Sequence, residues 1–437
     1  MIDVQSIPVK LVAPQPNDCG YYACLSYCWG GDQDTKLKTS NLPQFLRELP
    51  IESLGMTIQD AIETTRGLEI PYLWVDALCI IQDSAEDKHC QVERMHSIYR
   101  NSTVTIAAAC AASHGEGFLR TQPGLDGPDH SKCDILELRI PVGPDLEDAD
   151  ITLHQCMDDR YVEPLDRRGW ALQEFVLSPR LLIFGHHEAR WSCQPVRYPM
   201  TTYTIHGSSN TMFLKVPEHL PLGSSELAQT WMGIVENYSQ RQLSFADDRL
   251  LAIAAIAEEI CRVSGDKYLF GMWKSVILQG LLVWYCDKPG SISECRRRSP
   301  TWSWASLDGS VLFPHESTVG RRVWVQTPTT FQDIVSSDGL ELRLCSRLFN
   351  PFRKGDLNYL AYWPDLREGA DRNQEASRTP ARVVVDMAYY SGDREVILLR
   401  LMQVGSSRYE RLGIVVLARG AETNWIEAAP LQDVCII

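Results

Sequence analysis

Three short stretches of this sequence set chemically active side chains against apolar backgrounds. The first is Tyr22-Ala23-Cys24-Leu25-Ser26-Tyr27-Cys28-Trp29-Gly30, followed by Gly31 and Asp32. The second is Leu73-Trp74-Val75-Asp76-Ala77-Leu78-Cys79-Ile80-Ile81-Gln82-Asp83, in which Asp76 is the single charge within the apolar run 72–81. The third is Arg167-Arg168-Gly169-Trp170-Ala171-Leu172-Gln173-Glu174. A carboxylate inside an apolar run must be paired or hydrogen-bonded. Asp76 is therefore either a tie to a neighbouring helix or arginine, or an acid/base group. Cys79 in the same run reads as a core thiol rather than a nucleophile. Trp170 and Glu174 stand four apart, so on a helix the indole packs beside the carboxylate and restricts its solvation. Arg167 and Arg168 offer Glu174 an ordinary ion-pair partner instead.

Several familiar chemistries are excluded. The sequence has no Gly-x-x-x-x-Gly-Lys-Ser/Thr phosphate loop, no serine with glycine at both ±2 and no His-Glu-x-x-His. Gly115-Glu116-Gly117 begins like a dinucleotide loop, but Arg120 stands where the third glycine belongs. His186, His187 and Cys193 do not make a convincing metal site, because adjacent histidines on a strand point to opposite faces. No metal is expected.

The elements that must position these groups follow from periodicity. Runs at 21–27 and 103–109 read as buried strands, and 72–81 fits a buried parallel strand, although such a run is equally compatible with a buried helix. Thr57 is expected to cap a helix whose apolar face is Ile58, Ala61, Ile62 and Thr65, with Gly67 as a stop. Ser84 caps the next helix, with Glu86 and Asp87 in its first turn and Val92, Met95 and Tyr99 as its stripe, closed by Asn101-Ser102. Residues 114–160 are a Gly-, Pro- and Asp-rich excursion with one hairpin near 136–141. A short helix over 167–174 leads to a strand at 180–184. Beyond about residue 200, helices are expected at 226–238, 246–263 and 268–285. Strands follow, including 340–344 and 382–386, with Trp302 and Trp304 on one strand face.

The whole chain has 437 residues, 44% hydrophobic and 22% charged, which is globular composition. Its 42 Lys and Arg against 56 Asp and Glu give a net charge of −14. That balance argues against nucleic acid as a partner, the tight basic run being only Arg296-Arg297-Arg298. No signal peptide and no membrane-length apolar run is present, and the scattered cysteines suggest free thiols, so no membrane partner and a cytoplasmic location are expected.

Together, the order and spacing of the three stretches closely resemble the fungal heterokaryon-incompatibility (HET) domain family over about residues 20–195. Gln91-Val92-Glu93-Arg94-Met95 and Ile98-Tyr99 extend the likeness. Ile81 stands where the family usually has Asn, and Gly169 where it usually has Ala. A weaker similarity to the C-terminal regions of full-length HET-domain proteins runs through Tyr238-Ser239, Asp247-Asp248-Arg249-Leu250, Trp273 and Thr301-Trp302-Ser303-Trp304-Ala305-Ser306. The resemblance implies an α/β fold with a Toll/interleukin-receptor-like (TIR-like) parallel sheet flanked by helices over 1–200. A helical segment over 201–295 and a β-rich C-terminal region over 296–437 complete the chain.

Some members of that wider group hydrolyse NAD⁺ with a helical glutamate four residues after a tryptophan, and Trp170 and Glu174 match that spacing. The resemblance thus implies Glu174 as key carboxylate, NAD⁺ as substrate rather than cofactor, and a role in self/non-self recognition and cell death. In an open parallel sheet, ligands bind beyond the carboxyl ends of the strands. Ser26, Trp29, Gly30, Gln82, Asp83, Arg168 and Trp170 are therefore the expected substrate-binding residues, with Asp76 beside Glu174 as a second catalytic carboxylate. Arg167, Arg168 and the Trp29-Gly30-Gly31 turn are the candidates for dinucleotide phosphates. Two other readings stay open: a secondary-metabolism enzyme acting on a small hydrophobic substrate, with Asp76, Glu174 and His186 as acid or base, and a non-enzymatic module that signals by self-association.

Overall fold

The computed structural model describes residues 1–13, 19–119, 136–140, 149–153, 162–186, 189–193, 215–286, 299–314, 330–335, 341–349, 359–364, 384–390, 396–406, 408–417 and 431–437. The run 296–298, His187 and the Val92 side chain lie outside this description. The chain forms two compact units, Met1–Met212 and Phe213–Ile437.

In the first unit, strands β1 (Ile2–Asp3), β2 (Lys10–Leu11), β3 (Tyr22–Ser26), β4 (Tyr72–Trp74), β5 (Val104–Ala108), β8 (Arg180–Phe184) and β9 (Ala189–Cys193) form one sheet in the order β2-β1-β4-β3-β5-β8-β9. A separate hairpin pairs β6 (Leu136–Ile140) with β7 (Ala149–Leu153), as the sequence suggests. The central β4, β3, β5 and β8 run parallel, while β1, β2 and β9 add antiparallel edges. From β3 the chain winds outward to β4, then returns to the other side for β5 and β8. The strand order therefore reverses between β3 and β5, which is the topological switch point of a doubly wound sheet.

Alternation along β3 decides which side chains meet which helix. Ala23 and Leu25 join Leu73 and Val75 in a core with Ile58, Ala61 and Ile62 of α2 (Met56–Gly67), the helix that follows the short α1 (Leu42–Phe45). Cys24 turns the other way and packs with Trp74, Met95 and Tyr99, the last two on α4 (Ala85–Asn101). The Trp74 and Tyr99 rings meet edge-on at 5.6 Å, a favoured aromatic geometry. Helix α5 (Ala171–Leu177) packs beside α4 and buries Ala171 and Phe175 against Ala107, Leu181 and Ile183. Ser26 is two residues beyond Cys24 and shares its face, the one covered by α4 and α5.

Local signals explain most ends. Ser84 caps α4 by accepting the Asp87 N–H at 3.2 Å, and the Asp87 carboxylate accepts from Ile81 N at 2.7 Å. Thr57 does not cap α2: the N-cap is Gly55. Thr57 Oγ1 instead donates to Ser113 O at 3.0 Å and accepts from Gly117 N at 3.2 Å. The expected strand at 72–81 is corrected too. It ends at Trp74, and Asp76–Cys79 form a short helical turn, α3. An apolar run alone does not separate the two; here Asp76 opens the turn as its first residue, after Val75 at the N-cap, and its carboxylate accepts from Ala77 N at 2.6 Å.

The second unit opens with α6 (Ser225–Ser239) and α7 (Leu251–Ser264), the latter preceded by a 3₁₀ turn at Ala246–Arg249. The helix expected at 268–285 is absent. Two-residue strands β10 (Tyr268–Leu269) and β11 (Met272–Trp273), a 3₁₀ turn at Lys274–Gln279 and the start of β12 (Tyr285–Cys286) occupy that segment. Left-handed backbone at Phe270 (φ 46°), Gly271 (φ 89°) and Gly280 (φ 140°) breaks the helical pattern. Trp302 and Trp304 are fully buried, but neither is on a strand: Trp304 opens the 3₁₀ turn Trp304–Ser306 and Trp302 lies in the turn just before it. Strand β12 pairs with β13 (Val311–Leu312).

The C-terminal strands are β14 (Thr330–Val335), β15 (Glu341–Phe349), β16 (Tyr359–Pro364), β17 (Val384–Tyr390), β18 (Val396–Gln403), β19 (Arg408–Leu417) and β20 (Leu431–Ile436). Pairings β15-β17, β17-β18, β18-β19, β19-β20 and β20-β15 close a ring of strands, which leaves these five with no free edge between them. Among the described residues no helix is long and apolar enough to cross a membrane.

Candidate functional site

Parallel strands deliver their carboxyl ends to one edge of the first sheet, and most of the expected site residues are found there. Ser26 closes β3, with Trp29 and Gly30 in the turn beyond it, and Asp76 follows β4. Gly30 has φ +70°, and a Cβ there would lie 2.2 Å from Ser113 Cβ and 2.6 Å from Ser113 Cα. The turn after β3 is thus pressed onto the loop after β5, also joined by His114 N donating to Trp29 O at 3.3 Å. Gly30→Ala is expected to destabilise the chain by roughly 2–4 kcal/mol, combining left-handed strain with overpacking. Urea unfolding checks this, and a loss under ~0.5 kcal/mol would show that the two loops separate freely.

The Asp76 carboxylate is tied on two sides. Trp29 Nε1 donates to Oδ2 at 2.9 Å and Ala77 N to Oδ1 at 2.6 Å. Tyr27, whose hydroxyl accepts from Gln33 Nε2 at 2.7 Å, also faces it and favours its charge. Burial raises the Asp76 pKa above the ordinary carboxylate value, and Arg168 followed by the Trp29 indole pull it back.

Glu174 lies in the middle of α5 and is only 5% exposed. Burial pushes its carboxyl up to about 7, against the attraction of Arg168 and the neighbouring Ser26 and Tyr99 hydroxyls. Even so, Ser26 Oγ and Glu174 Oε2 complete no hydrogen bond of normal geometry; the hydroxyl stands near enough to act electrostatically but is not bonded. Tyr99 OH donates to Leu25 O at 3.2 Å. Ser178 Oγ, at the end of α5, donates to Glu174 O at 2.5 Å and meets Thr105 Oγ1 at 2.7 Å.

Arg168 links the two carboxylates. Burial opposes its charge, but Glu174 and then Asp76 outweigh that and raise its pKa. Its guanidinium also donates to Tyr27 O. Cys28 adjoins this cluster, and burial holds its thiol at about 11, which disqualifies it as a thiolate nucleophile near neutrality.

The remaining expected residues do different things. Trp170 is half-buried at the N-cap of α5. Gln82 Nε2 bonds Asp76 O at 3.0 Å and Ile80 O at 3.1 Å, bracing the α3 turn. Asp83 is exposed, and its carboxylate holds Thr39 N at 2.8 Å and Thr39 Oγ1 at 3.1 Å. Gly115 and Gly117 form no dinucleotide loop: Asp60 Oδ2 captures Phe118 N at 2.6 Å and Leu119 N at 3.0 Å.

Two site residues escape the sequence reading. Glu163 Oε1 accepts from His186 N at 2.8 Å, just past β8, and burial raises its pKa. His114 follows β5. Ser26 Oγ, Glu174 Oε2, Glu163 Oε2 and His114 Nδ1 are all buried without a hydrogen-bond partner. Of these, Ser26 Oγ at the end of β3 and Glu174 Oε2 are neighbours, and buried unsatisfied polar groups of that kind call for an explanation such as a ligand or a water. The signal for Glu163 is only a carboxylate before a proline, too common to single out.

The fold and the cluster define a doubly wound α/β domain with a buried carboxylate–arginine–carboxylate network at the carboxyl edge of its sheet. Residues 22–174 match the family model described as Heterokaryon incompatibility protein (HET). The match opens on the first residue of β3 and closes on Glu174. It implies a function related to heterokaryon incompatibility. No curated protein and no solved structure matches the chain.

Proposed function

We propose that this HET domain hydrolyses NAD⁺ at the nicotinamide–ribose bond, with Glu174 as its key carboxylate, and thereby acts in self/non-self recognition and cell death. The observation that carries the reading is Glu174 itself: a carboxylate with one oxygen buried and unpartnered, next to the unpartnered Ser26 hydroxyl, at the sheet's carboxyl edge. In the reaction the C1′–N bond breaks and its electron pair leaves with neutral nicotinamide. The ribosyl centre becomes oxocarbenium-like until water adds at C1′ and releases a proton. The ionised Glu174 carboxylate stabilises that cation, in a site dry enough for the effect to be large. Arg168 holds the Glu174 charge in place, and Asp76, fixed by Trp29, holds Arg168. Backbone at the Trp29-Gly30-Gly31 turn and the Trp170 ring complete the substrate contacts.

Incubating the purified chain with NAD⁺ and following nicotinamide release tests this. Activity is expected to rise with pH through about 7, as Glu174 ionises, and Glu174→Ala to lose roughly 10²–10⁴-fold. Full activity in that variant removes Glu174 from the mechanism, and no nicotinamide release by the wild type removes the reaction.

A further inference from the structure

A string of buried hydroxyls joins α4, β5 and α5 and plays no part in the reaction above. It starts at the end of α4, where Ser102 Oγ donates to Tyr99 O at 2.9 Å. It crosses β5 at Thr105, whose Oγ1 stands 3.4 Å from Ser102 Oγ and 2.7 Å from Ser178 Oγ. It ends on α5, where Ser178 Oγ donates to Glu174 O at 2.5 Å. Ser102, Thr105 and Ser178 are all buried, so none of them turns to water instead. A hydroxyl has one proton to give, which fixes the direction of the string. Ser178 commits its proton to Glu174 O and Ser102 commits its own to Tyr99 O. Thr105 is therefore the donor to Ser178, and its approach to Ser102 is a contact without a proton. Strand β5 otherwise carries only Val, Ile and Ala, and a hydroxyl buried there without a partner costs free energy that a methyl does not.

The two ends of the string are residues whose side chains meet at the site. Tyr99, its ring set edge-on against Trp74, gives its hydroxyl to Leu25 O and favours the Glu174 charge. Glu174 is the residue whose carbonyl Ser178 holds. Helix α5 has only seven residues, and its apolar packing against Ala107, Leu181 and Ile183 is non-directional. Apolar contact alone lets so short a helix slide or roll, whereas a hydrogen bond fixes it at one point. We propose that Thr105 is a positioning residue for Glu174: by donating to Ser178 it fixes α5 on β5 and so sets where the Glu174 carboxylate stands relative to Ser26 and Tyr99. The inference deepens the NAD⁺ reading and, for its effect on turnover, rests on it. A misplacement of about 1 Å at reacting groups costs up to about 100-fold in rate.

The charged groups around the Glu174 carboxyl are Arg168 and Asp76, neither of them in the string. Tyr99, Cys24 and Cys28 also surround it, and burial raises all three so that they keep their protons at neutrality. Loss of the Thr105 hydroxyl thus removes no charge from the site, and a change in how Glu174 titrates reports movement of the carboxyl.

Thr105→Val, which removes the hydroxyl and keeps nearly the same shape, and Thr105→Ser, which keeps the hydroxyl, test this in the full chain. With NAD⁺, Thr105→Val is expected to lose about tenfold or more in kcat with KM within about twofold, and Thr105→Ser to stay within about threefold of wild type. Independently of turnover, the pH at which Glu174 titrates is read from urea unfolding of each chain with and without Glu174→Gln. It is expected to move by about half a unit or more in Thr105→Val and to stay at about 7 in Thr105→Ser. If Thr105→Val fails to fold, Ser178→Ala removes the other end of the same bond and is expected to move the midpoint likewise. A wild type that releases no nicotinamide sinks the NAD⁺ reading and leaves the titration to decide Thr105. An unmoved midpoint in Thr105→Val, or in Ser178→Ala where that variant stands in for it, overturns the proposal, as does a Thr105→Ser chain as impaired as Thr105→Val.

Discussion

Arg168→Met is expected to cost the chain about 3–5 kcal/mol at pH 8, the scale for removing one partner from a buried ion network. The physical reason is what remains. Glu174 and Asp76 are both buried carboxylates whose charge Arg168 favours, and the methionine keeps most of the packing while removing the cation. The guanidinium also satisfies Tyr27 O, which loses a donor. The loss is expected to shrink towards pH 5, where Glu174 takes up a proton and no longer needs a counter-charge. Urea unfolding at the two pH values reads both effects. A loss under ~1 kcal/mol at pH 8, or one independent of pH, would falsify the placement of Arg168 between the carboxylates.

Glu174→Gln is expected to change how stability varies with pH. The carboxyl's ordinary value is 4.5, and in the folded chain it stands at about 7. Between those values the folded state holds a proton that the unfolded state has released, so stability falls as pH rises. Below 4.5 both states are protonated, and above about 7 both are ionised and the cost is fully present. At about 1.4 kcal/mol per tenfold change in proton affinity, that cost is about 3 kcal/mol. Asp76 and Glu163 are shifted in the same direction and slope the curve too, so the quantity to read is wild type minus Glu174→Gln. That difference is expected to move by about 3 kcal/mol between pH 4.5 and 8, the wild type losing more. Parallel curves would place Glu174 in water rather than in the core.

The part of the fold set by local rules was legible in the sequence. Ser84 at the start of α4, the fully buried β5 and the sequence of α5 then β8 follow from caps and periodicity alone. The run 72–81 misled because apolarity does not distinguish a buried strand from a strand that turns helical at Asp76. The segment 268–285 misled because Gly271 and Gly280 look tolerable in a helix until their φ values are known. At the site, Ser26, Trp29, Asp76 and Glu174 were legible as types in blocks, but their mutual roles were not. Tyr99 looked like one more residue of an apolar stripe. Its place beside Glu174 depends on α4 and α5 lying on one face of the sheet, which no local pattern encodes. Gln82 and Asp83, expected at the rim because the strand was expected to reach them, serve the α3 turn and Thr39 instead.

The span of the chain that the network ties together sets the order in which it can come into being. Arg168 reaches Tyr27 across 141 residues, and Ser178 reaches Thr105 across 73. Contacts so distant in sequence form late, since each must close a long loop before it gains anything. During synthesis β3, β4 and β5 can emerge and pair while Glu174 is not yet made. A nascent chain therefore carries Ser26, Trp29 and Asp76 with no carboxylate opposite them. Only when α5 docks and β8 adds to β5 does Glu174 leave water for its place beside Arg168. The consequence is a built-in delay: a nascent chain that ends before β8 lacks the cluster, which exists only once the first unit, Met1–Met212, has been made and has folded.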